Sequence, residues 1–138
     1  MAVAVAITSI VTNDPSGGLD RTRTRQVVEG TLTLTGSYGG ASTHGDAINL
    51  GTFDQIKSNQ LPVWCEIQEN QGSASAGVGA APLGYKFTYC QGTTQANGLL
   101  QITSGSNTEF TQGSAYSGGS PSLNNVVLRF KAWFPWAV

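Results

Sequence analysis

Apolar side chains fall on every second position in six stretches of this chain, the period of a strand with one face in a core and the other in water. Near the N-terminus, Val3, Val5 and Ile7 alternate with Ala4 and Ala6. Gln26–Thr35 places Val28, Gly30, Leu32 and Leu34 on one face and Glu29, Thr31, Thr33 and Thr35 on the other. Threonine suits the wet face of a strand. Leu61–Gln68 sets Val63, Cys65 and Ile67 against Trp64, Glu66 and Gln68, which puts Trp64 on the polar side, over either a second small core or a subunit contact. Tyr85, Phe87 and Tyr89 alternate with Lys86, Thr88 and Cys90, and Leu99–Thr103 repeats the pattern. In the last stretch Val126, Leu128, Phe130, Ala132 and Phe134 share one face, and a run this regular is expected in the centre of a sheet.

The segments between these stretches carry turn chemistry. Asn97-Gly98 can supply positive φ, so Gly84–Ile102 is expected to fold as a hairpin reversing there. Asn13-Asp14-Pro15-Ser16-Gly17-Gly18 is a second turn signal. Ala41–Gly51 has no clear period and is expected to be a loop, and Leu50–Ile56 gives only a weak signal for a short strand or helical turn. Glu69–Leu83 and Ser104–Asn125 are long stretches rich in small and polar residues, the second with one short strand expected around Phe110. No helical period emerges. Six or seven strands with turns between them predict an all-β, single-domain β-sandwich, with a jelly roll as the expected arrangement. Residues 1–25 form an N-terminal strand and extended arm in this reading, and 26–138 the sandwich.

Composition narrows the function classes. Only 11% of the 138 residues are charged, against about 25% in ordinary soluble domains, so Ser, Thr, Gly, Asn and Gln must cover the surface. A net charge of -1 offers no overall attraction to nucleic acid. The N-terminal apolar run is short and lacks a basic flank, so it predicts a strand and no signal peptide; no run reaches the length of a membrane span. A single histidine removes most triad and acid/base schemes. His44 and Asp46 stand two apart without a third ligand or nucleophile nearby, and a solvated loop is the expectation there. Cys65 and Cys90 match no zinc or redox spacing and are expected as reduced, packed thiols. No cofactor, metal or enzymatic activity is expected. The basic residues Arg21, Arg23 and Arg25 alternate with threonines, either as a charged edge or as an arm that grips an acidic partner. The tail around Trp133, Phe134 and Trp136 is apolar for a chain end, so these six residues are the candidate partner contacts.

Three segments resemble the head decoration, or cement, proteins of tailed phages. VVEGTLTLTGSYGG (27–40) is similar to that family's early strand entering a Ser-Tyr-Gly turn; GYKFTYCQGTTQANGLLQI (84–102) resembles its hairpin; VVLRFKAWF (126–134) resembles its closing strand. The family's closing strand often ends in a basic residue, whereas this one runs into Phe-Pro-Trp-Ala-Val. The resemblance implies a compact β domain on the outer surface of the virion head, working as a homotrimer, with the major capsid protein as partner and no direct nucleic-acid or membrane contact. The rival expectations are a receptor-binding or tail-tip module that holds a glycan, and a head-tail joining or tail-tube subunit.

Overall fold

The computed structural model describes residues 3–13, 25–39, 44–56, 58, 60–69, 84–119 and 122–135. Within them seven strands form: β1 (Val3–Asn13), β2 (Arg25–Leu34), β3 (Asp46–Ile48), β4 (Trp64–Glu69), β5 (Tyr85–Cys90), β6 (Gly98–Ser104) and β7 (Val127–Pro135). They make two antiparallel sheets, ordered β1-β2-β7-β4 and β3-β6-β5. The sheets face each other, with β4 over β5 and β1 over β3. The expected all-β sandwich is therefore the observed fold, and β7 occupies the central position anticipated for it.

The alternation read from the sequence decides which side chains enter the core. Val28, Leu32 and Leu34 from β2, Leu128, Ala132 and Phe134 from β7, and Leu100 and Ile102 from β6 are all fully buried. Burying one such aliphatic side chain is worth about 1.5–3 kcal/mol, so β2, β7 and β6 are the main contributors to stability. Gly30 leaves room on the inner face that the Phe130 ring of its register partner fills. In β1 the pairing shifts between Ile7 and Ser9. This bulge lets Ile10 pair with Val28 and pack against the core although it breaks the parity of Val3, Val5 and Ile7. The strand of segment 1–25 is thus the edge of the four-stranded sheet, and the arm that follows it lies outside the described residues.

Three expectations need correcting. The hairpin forms with Tyr89 opposite Leu100, but positive φ occurs at neither Asn97 nor Gly98. Asn97 closes the reversal with its side chain: its Oδ1 accepts the Thr94 N–H at 2.8 Å and its Nδ2 donates to Thr93 Oγ1 at 2.9 Å. Gly98 belongs to β6 and is glycine because the Tyr89 ring lies across it; a Cβ there would sit 2.6 Å from Tyr89 Cζ.

The loop anticipated over Ala41–Gly51 contains β3, which is too short to show a period. Asp46, only 6% exposed, anchors it by accepting the Gly39 N–H at 2.6 Å and the Tyr116 hydroxyl.

The polar stretch Ser104–Asn125, expected to hold one short strand around Phe110, has a one-residue bridge in its place, and its described residues are pinned to the fold. The Phe110 N–H donates to the Ile102 carbonyl at 2.8 Å, a one-residue bridge joins Glu109 to Thr103, and Tyr116 and Leu123 are fully buried. Tyr38 ties this segment to the sheet, accepting the Ile102 N–H at 3.2 Å and donating to Glu109 Oε1 at 2.9 Å. Its ring meets Phe110 edge-on at 5.6 Å. Around Leu50–Ile56 a turn forms, closed by the Ile56 N–H on the Phe53 carbonyl at 3.0 Å.

Candidate functional site

The side chains that alternation turns away from the core of the four-stranded sheet meet in rows, because register partners on neighbouring strands share a face. One row is apolar: Trp64 of β4 lies opposite Trp133 of β7, Trp133 opposite Val27 of β2, and Val27 opposite Val11 of β1. Trp64 is 62% exposed and Val11 57%. Among the described residues an indole so open covers no second core. The next row is Glu66, Lys131 and Glu29, and the one after it Gln68, Arg129 and Thr31. A groove of about 410 Å³ runs over these two polar rows, with Thr8 at its rim. The β1 bulge sets that rim, where Thr8 Oγ1 donates to the Glu29 carbonyl at 3.2 Å.

Two carboxylates and two cations balance inside the groove. Lys131 Nζ stands 3.2 Å from Glu29 Oε1 and 5.4 Å from the centre of the Trp133 ring. Exposed pairs of this kind contribute about 0–1 kcal/mol, so the charges are not there to hold the fold. Among the described residues no ion pair or hydrogen bond occupies the Arg129 guanidinium or the Gln68 amide. The groove therefore presents free donors and acceptors on a rigid strand framework.

The six candidate contacts divide. Trp133 is on this face. Phe134 is fully buried because the next residue along a strand points to the opposite side, so it is a core residue and cannot touch a partner. Arg25 opens β2 in register with Asn13 and Pro135, the last residues of β1 and β7. The described residues that border segments 14–24 and 136–138 thus meet at one end of one sheet; Arg21, Arg23 and Trp136, within those segments, lie outside the described residues. The sequence singled out Trp64 but not Glu29, Arg129 or Lys131, whose grouping depends on register across three strands.

His44 and Asp46 do not act together. His44 Nδ1 lies 3.2 Å from Glu109 Oε2 at the surface while Asp46 is buried against Tyr116. Among the described residues no group of three or more His, Cys, Asp or Glu side chains is placed to hold a metal. Both cysteines are free. Burial, with a smaller push from Glu66, raises the Cys65 thiol to about 12, which keeps it from acting as a nucleophile near neutral pH.

The fold and this face define a two-sheet β domain with a polar groove beside an exposed aromatic row. No family model matches the chain, and neither a curated protein nor a solved structure matches it.

Proposed function

We propose that this protein is a tailed-phage capsid decoration protein that binds the outside of the head and stabilises it by bridging major capsid subunits. The observation that carries the reading is the register of Asn13, Arg25 and Pro135. These residues, which border the basic segment holding Arg21 and Arg23 and the apolar segment holding Trp136, share one end of the four-stranded sheet. The row of Val11, Val27, Trp133 and Trp64 is the next outward-facing row in from that end. An apolar row next to the sheet end where a basic and an apolar sequence segment begin suits a docking edge, and a homotrimer presenting three such edges would gain strongly from multivalency. The strand order supports a jelly-roll reading, since β1 and β4 of one sheet lie over β3 and β5 of the other and the chain passes between sheets after β2, β3, β4 and β6. The three segments that resemble the decoration family overlap β2, the β5–β6 hairpin and β7.

Deleting residues 1–25 would remove β1 as well as the arm. The sharper test replaces 14–24 with a two-residue Asn-Gly turn, which fits because Asn13 and Arg25 are already paired. Occupancy on expanded heads should collapse while the thermal midpoint holds; full occupancy would refute the arm's role. A receptor-binding or tail-tip module is the second reading, favoured by the exposed Trp64 beside the groove. Electron microscopy of labelled particles separates the two, since decoration labels the whole head.

A further inference from the structure

The groove over β7 lies beside the docking edge described above, and none of its lining residues belongs to that edge, although Trp64 borders both; its chemistry is that of a recognition site. Its volume of about 410 Å³ falls within the roughly 300–1,000 Å³ typical of small-ligand sites. We propose that it binds a neutral, hydroxyl-rich glycan, with Arg129, Gln68 and Glu66 holding the sugar hydroxyls and Trp64 stacking on a neighbouring ring.

Four observations lead to that ligand class. Glu29 and Glu66 balance Arg129 and Lys131, so the groove has no net charge with which to select an anion or a cation. Carboxylate, amide and guanidinium are planar groups that present two acceptors, one of each, or paired donors, and adjacent sugar hydroxyls can donate and accept in matching pairs. A protein partner fits less well, because the centre of a protein interface is depleted in charge and this groove carries four charged side chains. Trp64 stands two residues from Glu66 on the same face of β4, about 7 Å along the strand. That spacing is on the scale of one sugar ring, and the apolar faces of a pyranose pack against an indole as other apolar surfaces do.

The polar side chains sit on β2, β4 and β7, and strands position a site more firmly than loops, so little ordering cost accompanies binding. This proposal goes beyond the decoration reading and does not require it, because a glycan site could serve on the head or on the tail.

The experiment uses the full chain on a printed array of neutral and anionic oligosaccharides, including bacterial cell-wall and lipopolysaccharide-core sugars, with affinities of hits measured by calorimetry. Neutral sugars should bind, and Trp64→Ala and Arg129→Ala should each weaken binding by about tenfold or more without moving the thermal midpoint. Arg129→Lys should recover only part of the loss, since the paired donors are gone. An array without hits overturns the proposal. So does binding that ignores both substitutions, or binding confined to anionic sugars and abolished by salt. Head occupancy of Arg129→Ala is measured in parallel: unchanged occupancy keeps the glycan site separate from capsid docking, whereas a drop would make the groove a capsid contact and remove the glycan assignment.

Discussion

Removing the Tyr116 hydroxyl should cost more than its single atom would imply. Asp46 is 6% exposed and Tyr116 fully buried, and the carboxylate has two partners, the Tyr116 hydroxyl and the Gly39 N–H at 2.6 Å. Tyr116→Phe keeps the ring packed against Tyr38 and Phe110 but leaves one oxygen of a buried carboxylate unmatched. A hydrogen bond to a charged group contributes about 1.5–3 kcal/mol, so the expected loss is about 2 kcal/mol. For a chain of 138 residues the unfolding entropy near the midpoint is about 0.29 kcal/mol/K, and the midpoint should fall by about 7 °C. Urea unfolding of Tyr116→Phe, Asp46→Ala and the double variant measures the coupling directly. Once Asp46 is gone, Tyr116→Phe should cost under about 0.5 kcal/mol more. Strict additivity, or a single variant as stable as the parent, would refute the claim that this pair pins β3 and the 3-10 turn at Tyr116–Gly118 to the fold.

Raising the pH offers an independent check: burial first, then hydrogen bonding and charge from Asp46 or Glu109, holds Tyr38 and Tyr116 above their ordinary 10.0. The unfolded chain gives up these protons first, as it does those of Tyr89 and Cys65, which burial also holds above their ordinary 10.0 and 9.0; stability therefore falls as the pH rises through 9 to 10, by up to about 1.4 kcal/mol per pH unit for each group, and the slope of urea midpoints between pH 10 and 11 should drop by about a quarter in Tyr116→Phe. Phe134→Ala should destabilise by about 3–5 kcal/mol and Trp64→Ala by no more than about 0.5 kcal/mol, a contrast that thermal unfolding of the two variants reads at once. Phe87 is only half-buried, so Phe87→Ala should cost less than Phe134→Ala in the same assay. Cys65, its thiol pushed up to about 12, should react with a disulfide reagent at pH 8 far more slowly in the folded protein than in urea.

What the sequence made legible follows from the range over which each signal acts. Alternation is local, and it identified β2, β7 and the hairpin with their core faces correctly, down to Leu128, Phe130, Ala132 and Phe134 pointing inward. The same period should have excluded Phe134 from the partner contacts, since a residue cannot fill the core and also meet a neighbour across the outer face. The reading of an apolar chain end as a contact region competed with the parity rule, and parity prevailed. Asn97-Gly98 misled for a related reason: the dipeptide is a turn signal, but here a neighbouring aromatic ring required the glycine and an amide side chain shaped the reversal. β3 was illegible because three residues show no period, and its anchor, Asp46, finds Tyr116 seventy positions away.

The groove was hidden by the same limit. Glu29, Glu66, Gln68, Arg129 and Lys131 each look like an ordinary solvated position on a half-buried strand, and read one strand at a time they are. Pairing β7 between β2 and β4 places Lys131 between two glutamates and Arg129 between a glutamine and a threonine. One-residue slippage of β7 would turn Leu128 and Phe130 outward and destroy the core before it could rearrange these rows. The register that the core enforces is thus what assembles the polar face, and stability and recognition rest on alternate residues of one strand. That coupling makes outer-face substitutions on β7 suited to testing function: Arg129→Ala removes groove chemistry while Leu128 and Phe130, its neighbours, keep the sheet in place.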